Sequence, residues 1–568
     1  MSSSPQNQNE SGQDAEHLSR LITELRYRND DLQRRNDDLL AVVNRLNDSI
    51  GWRMLQRFRR IVSVLLPAGT RRRRWSGLVL IRLKTWLPSN PGANAGGKQE
   101  ASLGEAAAVK MTEKGPSPLS VRPSSSVRTN SSASKKLLLL GLGPLPWEKA
   151  LRNYAPGRRT WQFLKPLRDD GHDVHLVAAR MPRAYEQEPA DGALHCSEGF
   201  KYYSVAPAIF RDGSYVRRLA ESLRPDCIVS VNAWPSPTAV GLRECPVWVD
   251  LNGHVMAEGQ SKAFRLNEDG PLSAFFNLEY PIVCNADIFS AVAESQKWAL
   301  IGELGLVGRL NRFTDNYEFC HVIPNGIEGP IARPATELIR GKKVGEGDFL
   351  ILWSGGFNTW CDYELLVSAL EEVMTRFAHV KFIATGGQIS GHDDVSYPRF
   401  HRLVSESRHR DKFILEGWIP SQLLPHYYWE SDIGINVDRD CYEVRLGSKN
   451  RILDWVSAGL PPVCSRVCEL SLLLESAGLG FTYAPGSKDA LVECLTKLIR
   501  MSRKELDALR ETVRSKALEH LGFDNIMLPL RTWVRDPRFA PDQGRYVRLV
   551  KPAGSPQETF RTNALGST

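Results

Sequence analysis

Twice along this chain a continuous apolar run ends in closely spaced glycines and then gives way to a helical pattern. Lys135–Gly143 reads KKLLLLGLG and Phe349–Gly356 reads FLILWSGG. Apolar runs of this kind, without alternation, suit strands covered by helices on both faces, the situation of a parallel sheet. Further strand-like runs follow each opening strand. DCIVSVN, PVWVDLNG and ADIFSAVAES lie in the first half, and VKFIATGG, KFILEGWIP and DIGINVD in the second. Helical segments such as ELLVSALEEVMTRF separate them. The alternation predicts two doubly wound α/β domains, over residues 135–335 and 345–535, with the C-terminal ends of both sheets facing a cleft. Gly141 and Gly143 suggest a dinucleotide-binding turn, but Pro146 stands where a third glycine is needed, so that reading fails.

A chain of 568 residues exceeds what one hydrophobic core organises. Much of the excess precedes residue 135. Residues 1–16 are polar and predicted to be disordered. Leu18, Leu25, Leu32, Leu39 and Leu46 then recur every seven residues, with Ile22, Asn29, Asn36, Val43 and Ile50 interleaved. Leucine at d with β-branched residues and asparagine at a predicts a parallel two-stranded coiled coil over 17–50, and so a homodimer. Over 51–90 there are ten Arg or Lys and no Asp or Glu, among tryptophans and aliphatic residues at helical spacing. This predicts amphipathic helices lying on an anionic membrane surface. A nucleic-acid tether and a hairpin packed on the protein are the competing readings.

The whole chain carries +8, so the part outside this window sums to about −2, which argues against a nucleic-acid partner. Residues 91–134 are rich in Gly, Ala, Ser and Pro and predict a flexible linker. Residues 536–568 predict an irregular tail. Ten scattered cysteines, no apolar leader and no run of eighteen apolar residues predict free thiols in a cytoplasmic protein, peripheral on the cytoplasmic face of the membrane.

The chemistry concentrates in Glu443–Cys464, EVRLGSKNRILDWVSAGLPPVC. Arg445, Lys449 and Arg451 gather at a predicted helix start, where unpaired N–H groups and the positive end of the helix dipole favour an anion. Asp454 follows within a turn. Phosphates at the helix mouth and a carboxylate for sugar hydroxyls are what a nucleotide-sugar requires; a capped surface helix with ordinary charges is the alternative. In DLNGHVMAEGQ, His254 and Glu258 stand at a strand exit of the first domain, where either can orient an acceptor hydroxyl or take its proton. A purely structural histidine is the competing reading. Asp438-Arg439-Asp440 has the spacing of a metal-binding pair, but its place after a late strand favours ordinary loop carboxylates. Neither a cofactor nor an essential metal is expected.

The order of these segments resembles that of retaining, nucleotide-sugar-dependent glycosyltransferases of the GT-B fold, over roughly residues 135–535. HVIPNGI resembles the Ile-Pro-Asn-Gly segment that closes the family's first domain. GWIPSQLLPHYYWESDIGINV resembles its Gly-φ-Val-Pro segment, and RILDWVSAGLPPVCS its Lys-Leu-Leu-Glu-Tyr-Met-Ala-Ala-Gly-Leu-Pro-Val-Val segment. The resemblance implies an N-terminal Rossmann-like acceptor domain and a C-terminal Rossmann-like donor domain. It implies transfer of a sugar from a nucleotide-sugar donor to a hydroxyl of a glycan or lipid-linked glycan. Asp454 stands where the family has the second glutamate of Glu-x7-Glu, a ribose ligand. The first position is Leu446, so Glu443 is the candidate to face the reacting sugar.

The family's Arg/Lys pair is missing from WSGGFNTWCDYE. Gly355, Gly356, Asn358 and Thr359 are therefore candidates for phosphate contact, with Arg445, Lys449 and Arg451 supplying charge. Gly386, Gly387, Trp418 and Ile419 occupy segments that line the base in such enzymes. Asn153, Gly157 and Arg159 lie on the first domain's glycine loop, for phosphate or acceptor contact. The Ser-Ile-Gly-Trp-Arg junction after the heptads resembles the front ends of bacterial surface-polysaccharide glycosyltransferases, implying that biosynthetic role. Two other activities stay open: a nucleotide-sugar epimerase of the same fold, and a non-catalytic dimeric scaffold at the membrane.

Overall fold

The computed structural model describes residues 134–545, apart from positions 149, 151–153, 182–183, 186–189, 193, 198 and 390–391. The expected coiled coil, the basic segments, the linker before Ser134, Asn153 and the end of the expected tail lie outside the described residues.

Two parallel-sheet α/β domains follow one another. The first sheet holds β1 (Lys136–Leu142), β2 (Asp173–Ala179), β3 (Leu194–Ser197), β4 (Phe200–Val205), β5 (Cys227–Val231), β6 (Val247–Leu251), β7 (Ile288–Ala291) and β8 (Cys320–Val322). Their spatial order is β3-β4-β2-β1-β5-β6-β7-β8, parallel throughout except for the β3–β4 edge pair. The second sheet holds β9 (Phe349–Ser354), β10 (Val380–Thr385), β11 (Phe413–Gly417), β12 (Ile433–Asn436), β13 (Pro462–Ser465) and β14 (Phe481–Tyr483). Its order is β11-β10-β9-β12-β13-β14, all parallel.

Both opening strands are central. β1 lies between β2 and β5, and β9 between β10 and β12. That is why both sequences are apolar throughout: every residue of β9, and every residue of β1 after Lys136, is buried. At these positions the strand order reverses, so the connecting loops part to opposite faces and leave a crevice at the strands' C-terminal ends. In the second domain the residues at that crevice follow β9, from Gly355, and β12, from Asp438.

Helix Ala155–Asp169 follows β1, with Pro156 in its first turn, where a missing N–H costs nothing. Gly157 and Arg159, expected on a loop, are thus helical. Phe163, Leu164 and Leu167 pack on Leu137, Leu139, Val174 and Leu176. In the second domain Trp353, Phe357 and Phe400 stack in series, with centroids 4.6 and 4.2 Å apart. The domains also meet through Glu469, whose carboxylate accepts from the amides of Glu294 and Ser295 at 2.8 and 2.7 Å, an acid seated at a helix N-terminus.

The last part of the chain departs from the expected boundaries. After helix Arg503–Leu521, which begins with a Ser502–Glu505 capping box, the chain crosses back to the first domain. Met527, Leu530 and Val534 enter that domain's core, so helix Leu528–Arg535 belongs to it and not to the second domain. Residues 536–545 are irregular but anchored. Asp542 takes both arms of buried Arg309 at 3.1 and 3.0 Å, and the Ala540 amide donates to Asp287 at 2.7 Å. A buried guanidinium demands a carboxylate, and this segment supplies it. Among the described residues no helix is long and apolar enough to cross a membrane. None of the ten cysteines forms a disulfide.

Candidate active site

The crevice beyond β9 is built on closely packed glycines, of which Gly386 tolerates a side chain least. Gly355 has φ +87° and Gly386 φ +145°, and a Cβ on Gly386 would lie 2.1 Å from the Gly355 carbonyl oxygen. A Cβ on Gly356 would sit 2.4 Å from Ile389 and 3.4 Å from Trp418. Gly387 lies against the Tyr397 ring. Trp418 is about a third exposed and donates its indole N–H to the Gln388 carbonyl at 2.8 Å; Ile419 is partly buried against the core.

Arg451, in the first turn of helix Asn450–Ser457, closes this turn. Its guanidinium lies 4.3 Å from the centroid of the Trp353 ring, and Nη2 donates to the Gly356 carbonyl at 2.7 Å. Its Nη1 is buried and has no hydrogen-bond partner in the chain. A buried donor left unmatched costs on the order of 1–3 kcal/mol, so this position favours an incoming acceptor.

The other two cations expected at the phosphates are engaged elsewhere. Arg445 holds Asp440 with two hydrogen bonds, 2.6 and 2.7 Å, on the rim of the crevice. Lys449 is buried, 3.1 Å from a Glu443 oxygen and 4.0 Å from Asp438, with the Trp360 ring 4.7 Å away. Burial opposes its charge, but Glu443 and Asp438 outweigh burial and hold the ammonium above the usual lysine range. Burial pushes the Glu443 carboxyl up to about 7; Lys449 pulls it down, while Asp438 and Glu258 push it further up. The physical reason is local: each of these cations has an acidic neighbour in its own short loop.

Asp454 is buried between two partners. One oxygen lies 2.5 Å from Nη1 of Arg158, on the first domain's helix Ala155–Asp169, and the other accepts from the Tyr428 hydroxyl at 3.3 Å. The carboxylate expected to take sugar hydroxyls therefore carries a salt bridge across the cleft. Arg158 was not among the expected site residues; its neighbour Arg159 was. Arg159 is 1% exposed and bonds Asp250 at 2.9 and 2.7 Å. It also bonds the carbonyls of Ile323 and Pro324 and the Asn325 side chain. It organises the domain interior and contacts no ligand space. Gly157 has a packing role too, since a Cβ there would lie 1.9 Å from the Pro144 carbonyl oxygen.

Asn358 keeps a buried, unpartnered Oδ1. Thr359 is buried in the domain contact instead of facing a donor. Its hydroxyl pairs with Ser261 at 3.0 Å, and its carbonyl accepts from Arg265 and Arg439 at 2.9 and 2.7 Å.

His254 is the N-cap of helix Val255–Leu266. Its Nδ1 accepts from the Ala257 amide at 3.3 Å, and its Nε2 is 3.1 Å from Glu303. Burial lowers its pKa, but the Glu303 bond and charge, with Glu279, raise it further. His254 is thus a capping residue with both ring nitrogens engaged, Nδ1 by the Ala257 amide and Nε2 by Glu303. With Glu279 and Glu303 it makes the one group of described residues with metal-ligand spacing, atoms within 4.8 Å. Both imidazole nitrogens are already in use, so an ion there would have to break one of those bonds. Glu258, one turn along, lies 3.5 Å from Lys262 of its own helix and 3.8 Å from His392 of the second domain. Glu258 thus stands near enough to Glu443, on the opposite domain, for its charge to raise the Glu443 carboxyl further.

This architecture is found in solved glycosyltransferases of the GT-B type. It is similar to a sucrose-phosphate synthase from Thermosynechococcus elongatus, 15% identical, over 71% of this chain and 98% of that one, with a TM-score of 0.54. It is also similar to a UDP-forming α,α-trehalose-phosphate synthase from Burkholderia xenovorans, 13% identical over 71% and 99%, TM-score 0.52. A third similar structure, trehalose-6-phosphate from E. coli bound with UDP-2-fluoro glucose, is 12% identical over 71% and 100%, TM-score 0.51. Residues 155–310 match the glycosyl transferase 4-like domain, and residues 348–501 match glycosyl transferases group 1. The chain is a GT-B glycosyltransferase. No curated protein matches it in sequence.

Proposed function

We propose that this chain transfers a sugar from a nucleotide-sugar donor, seated beyond β9 and β12, to a hydroxyl of a glycan acceptor. The observation that carries this reading is Arg451: a guanidinium fixed on a glycine turn at the point where strand order reverses, with one buried N–H unmatched. The donor's pyrophosphate would take that N–H together with the backbone amide of Gly356, the Gly355 amide being held by the Thr385 carbonyl at 2.6 Å. The anomeric C–O bond breaks with its electron pair on the diphosphate, where Arg451 and the helix-end amides stabilise the charge. The acceptor oxygen bonds the anomeric carbon, and its proton passes to the departing diphosphate. Retention of configuration and a role in surface-polysaccharide synthesis rest on the sequence resemblance.

The test is a thermal-shift series with UDP, GDP, dTDP and CDP. A ligand at a hundred times its Kd stabilises the fold by about 2.7 kcal/mol. At least one nucleotide should raise Tm. Arg451→Ala should weaken that ligand roughly 10- to 100-fold, by loss of a charged hydrogen bond, while Arg445→Ala leaves it unchanged. If none of the four shifts the wild type, the donor reading fails. Dimerisation through 17–50 and membrane attachment through 51–90 complete the proposal. Deleting each segment should abolish, respectively, the dimer in sedimentation and co-flotation with anionic liposomes.

A further inference from the structure

Between helix Val255–Leu266 of the first domain and the loop after β12 lies an open pocket of about 600 Å³, lined in part by Gln260, Ser261, Phe264, Arg439, Tyr442 and Arg445. Two of its walls are aromatic rings turned to the open: Phe264 is 66% and Tyr442 62% exposed. Each comes from a different domain. Large rings facing solvent around a concavity mark a binding surface more often than a packing defect.

These walls are fixed in place. The guanidinium of Arg439 lies 4.6 Å from the Phe264 ring centroid and is itself anchored on the Thr359 carbonyl at 2.7 Å. Arg439 Nε is buried without a hydrogen-bond partner. At the rim, the Arg445–Asp440 pair presents donors and an acceptor side by side. Apolar ring faces flanked by polar groups of both kinds match a pyranose, whose C–H face stacks on an aromatic while its hydroxyls bond at the edge.

The pocket's lining residues are also chain neighbours of Glu258 and Glu443, two carboxyl groups whose charges act on each other across the cleft. Tyr442 immediately precedes Glu443, and Glu258 lies on the same helix as Ser261 and Phe264. We infer that this pocket is the subsite for the acceptor saccharide, with Phe264 and Tyr442 as its stacking platforms. The inference rests on the glycosyl-transfer reading and replaces the glycine loop of the first domain as the place where the acceptor binds.

The experiment uses the labelled full-length chain on an array of immobilised mono- and oligosaccharides, with Phe264→Ala, Tyr442→Ala and Tyr442→Phe alongside. Both alanine variants alter exposed side chains: Tyr442→Ala should keep the wild type's Tm, and Phe264→Ala, which gives up its contact with Arg439, should melt within about 4 °C of it. The glycans that retain the wild type should retain Phe264→Ala and Tyr442→Ala at least tenfold more weakly, and Tyr442→Phe nearly as well. The nucleotide-induced thermal shift should be the same in all four proteins. Unchanged retention by the alanine variants overturns the assignment, and so does a wild type that no glycan retains. A wild type that binds glycans but shows no nucleotide shift would sink the donor reading and leave this subsite standing.

Discussion

Single side chains decide how this site is charged. Glu443 is a carboxyl whose folded-state pKa stands near 7 because burial outweighs its bond to Lys449. Below pH 4.5 it is neutral both folded and unfolded. Between 4.5 and about 7 the folded chain keeps a proton that the unfolded chain has released, so stability falls as pH rises through that window. The loss belonging to this group is on the order of 3 kcal/mol. Glu443→Gln should lack it, so the variant's Tm should gain on the wild type's as pH rises from 4.5 to 7. Glu279 also stands near 7 and adds the same slope to both proteins, so it cancels in the difference. A Tm difference independent of pH would refute the raised carboxyl. At this scale the sequence was only partly legible. Arg445, Lys449 and Arg451 are equivalent as letters, and which of them keeps a donor free depends on Asp440 and Glu443 folding back onto two of them. Arg159 was legible in principle. It shares a helix face with Gln162, Phe163 and Pro166, all buried, whereas Arg158 shares one with half-exposed Trp161 and Lys165.

Elements were easier to read than residues, for a physical reason. A strand buried on both faces must be apolar at every position, so KLLLLGL and FLILWS declare themselves, and a helix that packs on one must show its period. The glycine turn after β9 was legible as well, because a loop that approaches another backbone within van der Waals distance tolerates no side chain. The helix start at Ala155 was not, since Pro156 and Gly157 punctuate a loop as readily as they open a helix or permit its close packing on Pro144. His254 could not be recognised as a cap from its letters, because its partners Glu279 and Glu303 come from two later helices. The return of helix Leu528–Arg535 to the first domain carries no local signal, since its apolar stripe fits either core.

At the scale of the whole molecule, the first domain is discontinuous in sequence. A fragment ending at residue 345 would expose the places of Met527, Leu530 and Val534, each worth about 1.5–3 kcal/mol of burial. It would also leave Arg309 buried without Asp542, at a cost of about 3–5 kcal/mol. Set against a typical domain stability of about 5–15 kcal/mol, that sum predicts a fragment without a cooperative thermal transition by circular dichroism. A sharp transition in the isolated fragment would contradict the prediction. The two passages between the domains also touch: the Ile327 amide donates to Leu521, and the Phe523 amide donates to Ile327, at 2.8 and 3.2 Å. Paired in this way they act as one flat strap instead of two separate tethers. Bending the strap across its width leaves those bonds intact, whereas sliding one passage along the other breaks them. Entry of a bulky substrate is therefore channelled into a single jaw-like motion.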